Sequence, residues 1–195
     1  MFEADTIQRF TQNARLAIIR AQEAARDLGH RWIGREHLLL GVILQDGTPA
    51  TLARFGITAE SCRAAIVTVV GDGEGLSAED AKSLRGQGVY VPGPPAPAEE
   101  PRRGLRFFGR RKKSEPQPGP SAEPQQFLPF TPSGGHALHE AGNVRVPGQR
   151  DSRVTPHHLL AGVLDPEDEV MTRIFRELGA DVAAVRSETL GELSG

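Results

Sequence analysis

The stretch that decides the fold is His30-Arg31-Trp32-Ile33-Gly34-Arg35-Glu36-His37-Leu38-Leu39-Leu40-Gly41-Val42. It is too apolar for a loop, yet a carboxylate and a histidine stand at its mouth. From Arg35 to Gln45 it reads as a short helix, almost wholly apolar after its first turn, which places it at the centre of a core. Further along, Val154-Thr155-Pro156-His157-His158-Leu159-Leu160-Ala161-Gly162-Val163 repeats the same pattern with changes at its start.

Working outward, Thr11 to Leu28 reads as a long helix. Phe10, Ala14, Ala17, Ile18, Ala21, Ala25 and Leu28 recur at spacings of three and four, forming one apolar stripe. Thr11 is a suitable N-cap and Gly29 a suitable stop. After the central helix, Thr48-Pro49 predicts a third helix with proline at its first position, running to Phe55 and ending at Gly56. Thr58 caps a fourth, with Cys62, Ala65, Ile66, Val69 and Val70 facing inward.

The same order returns near the C-terminus. Phe130-Thr131-Pro132 echoes Phe10-Thr11-Gln12, and Thr155-Pro156 opens the copy of the central helix. Asp165-Pro166 is expected to open a third helix, and Asp181 caps a fourth that carries Val182, Val185 and Leu193. Gly56 matches Gly179, and Arg63 matches Arg186. The expectation is an all-α fold built as a tandem, pseudo-symmetric repeat of four-helix units, the second degraded. In that second repeat Gly134-Gly135 and Val146-Pro147-Gly148 predict a short, weak first helix and a mobile loop from Asn143 to Arg153.

The expected boundaries are repeat 1 at 1–72, a short helical extension at 73–91, a disordered proline-rich linker at 92–128, and repeat 2 at 129–195. The linker holds a basic run with Arg102, Arg103, Arg106, Arg110, Arg111, Lys112 and Lys113, interleaved with Phe107 and Phe108. It reads as a solvated segment, as a phosphate-contacting, base-stacking one, or as a site for a membrane surface or an acidic partner.

Composition narrows the function classes. The net charge of −2 exerts no global pull toward nucleic acid or membrane. No apolar run approaches the roughly 18 residues that cross a bilayer. The single cysteine excludes an intramolecular disulfide and, with no signal-peptide pattern, points to the cytoplasm. Cys62 reads as a buried thiol. No Gly-x-Ser-x-Gly elbow occurs. His136, His139, His157 and His158 lack a carboxylate or cysteine set that would complete a metal site, and no metal or cofactor is expected.

The residues Phe10-Thr11, the long helix ending Leu28-Gly29-His30, and the run Ile33-Gly34-Arg35-Glu36-His37-Leu38-Leu39-Leu40-Gly41 closely resemble the N-terminal domain of Clp (Hsp100) unfoldases. The likeness is good over 9–71 and looser over 129–194. Because the chain ends after the second repeat, it resembles a stand-alone Clp N-domain protein of the actinobacterial kind, without the ATPase modules. No Gly-x-x-x-x-Gly-Lys-Ser/Thr is present, which excludes nucleotide hydrolysis on motif grounds.

The resemblance implies a non-catalytic module that binds protein substrates, tagged proteins or adaptors, with Clp ATPase or protease subunits as partners. It further implies that Thr11, after Phe10, and Glu36, before His37, could hold phosphoarginine. A helix N-terminus seats phosphate, and a carboxylate takes a guanidinium in a two-pronged bond. The plainer reading makes Thr11 an N-cap and Glu36 a first-turn acid that favours the helix dipole. In the second copy Thr131 remains, but His157 replaces the carboxylate, so that site would be degenerate. His37 and its counterpart His158 are expected to hydrogen-bond backbone. The rival class is a nucleic-acid-binding or regulatory helical protein that uses the basic run.

Overall fold

The computed structural model describes residues 8–47, 49–71, 75–91, 127–145 and 153–194. The described chain is all-helical apart from two isolated bridges. Repeat 1 begins with α1 (Gln12–Asp27), capped by Thr11, whose side chain accepts from Ala14 N. Alanines 14, 17, 21, 24 and 25 form its buried face. Gly29, at φ +77, turns the chain out of the helix. α2 (Arg35–Asp46) follows, with Leu38, Leu39 and Leu40 all fully buried.

Small residues set how closely α1 and α2 approach. A Cβ built on Gly41 would collide with the Ala17 carbonyl and would stand 2.7 Å from the Ala21 amide nitrogen. α3 (Ala50–Arg54) has Pro49 as its cap, so proline stands one residue ahead of the helix. α4 (Ala59–Val69) is held by a reciprocal Thr58–Ser61 cap and buries Cys62, Ala65, Ile66 and Val69. α5 (Ala78–Gly86) is capped by Ser77 and turns Ala81 and Leu84 inward.

Repeat 2 departs from expectation in two places. Its first helix, α6 (Pro132–Asn143), is not short and weak but runs for 12 residues. Thr131 caps it by accepting from Gly134 N at 3.0 Å, and Pro132 fits its first position. Gly134 is a packing residue here, since an added Cβ would lie 2.6 Å from the Ile33 carbonyl oxygen. The expected loop from Asn143 falls partly inside this helix, and 146–152 lie outside the described residues.

α7 (Pro156–Val163) is capped by Thr155. The next helix does not start at Asp165-Pro166. Those residues form a turn, and Asp168 caps α8 (Glu169–Glu177) by accepting from Met171 N at 2.8 Å. α9 (Val182–Ser194) completes the chain, with Asp181 accepting from Ala184 N at 2.9 Å. Gly162 presses on Ala137 and Ala141 as Gly41 presses on Ala17 and Ala21, so the repeat holds down to the residues in contact.

The two repeats are crossed. Thr11 N donates to Val154 O and Val154 N to Arg9 O, both at 2.9 Å. In the mirror arrangement Ile33 N donates to Pro129 O at 2.8 Å and Thr131 N to Ile33 O at 3.0 Å. Each repeat's first helix is thus led in beside the segment that precedes the other repeat's second helix. α2 packs on α7 and α4 on α8, giving one shared core. No helix among the described residues is long and apolar enough to cross a membrane.

Candidate functional site

The first turns of α2, α5, α6 and α8 meet at a cleft with a volume of about 500 Å³. Arg35 from α2 lies at its floor. α5 contributes Ser77, Glu79 and Asp80, and α6 contributes Pro132, Ser133 and His136. Asp165, Glu167, Asp168 and Glu169 come from the turn that opens α8. Six carboxylates therefore border the cleft against one guanidinium. Carboxylates suit helix N-termini, because each faces a positive dipole end.

Arg35 is buried, and both of its terminal nitrogens are hydrogen-bonded. Its Nη1 donates to Gly162 O at 2.6 Å, and Nη2 lies 2.9 Å from His136 Nδ1. Ion pairs reach Asp165 at 3.0 Å, Glu140 at 3.3 Å and Asp168 at 3.4 Å. Sequence reasoning passed over Arg35. The available signal was a cation at the first position of an otherwise apolar helix, where the dipole disfavours it. His136, Glu140 and Asp165 present ligand atoms within 4.8 Å of one another. The Arg35 guanidinium already contacts all three.

Asp80 is buried and accepts from Ser133 N at 3.0 Å and Ser133 Oγ at 2.6 Å. Asp168 is raised above the ordinary carboxylate range. Burial does most of this, with the charges of Glu36 and Asp80 adding to it against the Met171 amide and Arg35.

The crossing gives the two residues of the expected Thr11–Glu36 site different neighbours. Thr11 lies beside the segment leading to His157, because its Oγ1 donates to Val154 O at 3.2 Å. The segment leading to Glu36 is bonded instead to Pro129 and Thr131. Backbone bonds thus bring Thr131 to the segment before Glu36, and Thr11 to the segment before His157. Phe10 is buried and pairs with Val154. Thr131 is buried as well, its Oγ1 shared between Gly134 N and Ser133 Oγ.

Glu36 is interior, with 2% of its surface exposed. Its Oε1 stands 3.0 Å from His37 Nδ1. His37 is fully buried, accepts from Gly34 N at 3.1 Å, and reaches His30 Nδ1 through Nε2 at 2.7 Å. His158 meets Thr155 N in the same way at 3.4 Å. Both histidines bond backbone at their helix starts. Burial pushes the Cys62 thiol up to about 12, which makes it a poor nucleophile. The basic run Arg102–Lys113 lies outside the described residues.

Against known proteins, residues 9–87 match the family model of the Clp repeat (R) N-terminal domain. The chain is 27% identical over 192 residues to the ATP-dependent Clp protease ATP-binding subunit ClpA homolog of Cyanidium caldarium, covering 94% of this chain and 16% of that protein. It is 26% identical over 192 residues to the chloroplastic chaperone protein ClpC of Pisum sativum, covering 94% of this chain and 15% of that one. The chain therefore spans only a small part of the length of these relatives. Among solved structures, the N-terminal domain of the caseinolytic protease associated chaperone ClpD from Arabidopsis thaliana shares the fold. Its TM-score is 0.63 at 20% identity, over 100% of both chains. Family model and relatives agree on residues 9–87, which are a Clp repeat (R) N-terminal domain, and the crossed helical repeat shares its fold with such a domain over the whole chain.

Proposed function

We propose that this chain is a non-catalytic module that captures segments of other proteins, substrates or adaptors, for a Clp unfoldase or protease. The relatives it matches are named as Clp protease ATP-binding subunits and chaperones, which supports that setting. The observation that carries the reading is the cleft bordered by both repeats. It is large enough for one or two side chains, and Glu79, Glu167 and Glu169, the bordering carboxylates not held by Arg35 or Ser133, favour a cationic segment, one bearing arginine or lysine.

The finer reading, phosphoarginine on Thr11 and Glu36, meets two physical demands. Glu36 would have to leave its buried place beside His37, and the phosphate would have to settle where no carboxylate opposes it. A bare guanidinium meets neither obstacle at the cleft.

Titration of the full chain with an arginine-containing peptide, its phosphoarginine counterpart and a glutamine-substituted peptide tests the proposal. The arginine peptide should bind, weaken with salt, and lose about tenfold in affinity in a Glu167→Gln/Glu169→Gln variant, a change of about 1.4 kcal/mol. Equal binding of the glutamine peptide would refute the cleft as the selector. Preferential binding of the phosphoarginine peptide, abolished by Glu36→Ala, would replace it with the Glu36 reading.

A further inference from the structure

His37 Nδ1 faces two groups that make opposite demands. The Gly34 N–H, 3.1 Å away, needs a lone pair. The Glu36 Oε1, 3.0 Å away, needs a proton donor. A ring nitrogen offers a lone pair or an N–H, never both. While Gly34 holds the lone pair, Glu36 Oε1 is a buried oxygen without a hydrogen-bond donor. Leaving it so is unfavourable.

The neighbouring contacts locate the remaining ring protons. His30 Nε2 stands 2.6 Å from Gly71 O, which only accepts, so His30 Nε2 carries a proton. His30 Nδ1 and His37 Nε2, 2.7 Å apart, share a second. With both rings neutral these two protons are the full complement, and His37 Nδ1 is bare. One more proton, taken from solvent, puts an N–H on His37 Nδ1 and makes the histidine pair a cation beside the carboxylate.

We propose that His37 is a proton-operated switch: in the neutral pair it caps α2 by accepting from Gly34, and with one added proton it releases Gly34 and donates to Glu36. Among the described residues, the titratable groups facing it are Glu36 on α2 and His30 on the α1–α2 connection. Beyond them lie Asp168 on α8, which feels the Glu36 charge, and Asp80 on α5, whose charge adds to Asp168. Trp32 stacks on His30, with centroids 4.8 Å apart. Burial works to raise Glu36, but the charge and hydrogen bond of His37, its own backbone amide and the His30 charge outweigh that and lower it. A lowered acid keeps its stabilising share above its unfolded value of about 4.3 and loses it only as pH falls through the folded value. The lowering by His37 and His30 belongs to the protonated side of the switch, where the histidine pair is a cation.

The second repeat is a built-in control. His158 accepts from Thr155 N at the equivalent place, but His157 stands where the carboxylate would be. There the second neighbour of Nδ1 is the Thr155 hydroxyl at 2.8 Å, which can donate to the bare nitrogen as a carboxylate cannot. The switch also reaches the cleft: Gly34 packs on Gly134, and the next residue, Arg35, forms the cleft floor.

An NMR pH titration of the full chain, following histidine ring nitrogens and backbone amides from about pH 8 to about pH 5, tests the switch. The Gly34 amide and the His37 ring should move with one midpoint. Glu36→Gln should lower that midpoint by about one pH unit, a tenfold loss of proton affinity. The Thr155 amide and His158 ring should show no such dependence on Glu36. A Gly34 amide that stays still while His37 titrates would overturn the proposal, as would an unchanged midpoint in Glu36→Gln. If that variant does not fold, the native chain decides alone: separate midpoints for Gly34 and His37, or a His37 ring in one state throughout, refute it.

Discussion

Arg35 Nη1 donates to the carbonyl oxygen of Gly162 at 2.6 Å, which bonds the first turn of α2 to the last turn of α7. The Val163 carbonyl accepts from the same nitrogen at 3.3 Å. These carbonyls are the negative end of α7, so the guanidinium gains there what it loses by sitting at the positive end of α2. Three carboxylates from the second repeat complete its surroundings.

Removing Arg35 leaves that shell without its cation. Arg35→Ala should destabilise the chain by about 3–5 kcal/mol, the usual result of breaking a buried ion pair from one side. Arg35→Lys should recover only part of the loss, because an ammonium is a point charge without the planar fork. Urea denaturation, read at constant m, measures both. A loss below about 1 kcal/mol for the alanine variant would show that the shell relaxes without it.

Gly41 and Gly162 should be equally intolerant of a methyl group. Each lies where an added Cβ would strike the partner helix backbone, at Ala17 and Ala137 respectively. Backbone cannot move aside as a flexible side chain can, so either alanine variant should cost at least about 1–3 kcal/mol. The opposite is expected at Gly142, where a Cβ meets nothing and alanine favours the helix. Thermal melts of the three variants give the comparison.

Asp168 should leave a signature in the acid limb of stability. Its carboxyl is raised by burial and by the charges of Glu36 and Asp80. An acid raised in the folded chain contributes fully below its unfolded value, about 3.9, and loses that contribution as pH rises through the folded value. Asp168→Asn keeps a good N-cap and removes the titration. The variant's stability relative to the native chain should therefore improve as pH climbs above about 4 and level off once Asp168 is ionised. A difference curve that falls with rising pH would contradict this.

Much of the fold was legible because the pattern was written twice. The stripe of α1, the apolar run of α2 and the threonine caps each recur, and recurrence separates design from chance. Two local readings failed for a physical reason that sequence conceals. Gly134 reads as a helix breaker, yet it serves a close approach to Ile33 that only the folded chain shows. Asp165-Pro166 reads as a helix start, yet Asp165 is drawn into the Arg35 shell and the capping falls to Asp168. The site was harder still. Thr11 and Glu36 belong together by repeat position, but the crossing gives each the other repeat's partner, and no local pattern records that. Arg35 was hidden beside Glu36 and His37, the polar pair that drew the reading.

The crossed lead-in segments bear on how the chain comes apart. Arg9 and Thr11 are bonded to Val154, and Ile33 to Pro129 and Thr131, so neither repeat owns a complete set of backbone partners. The halves are two strands of one knot, and in sequence a single thread joins them. Cutting that thread should yield fragments that travel as a pair and melt in a single step, and either half expressed by itself should go looking for the other.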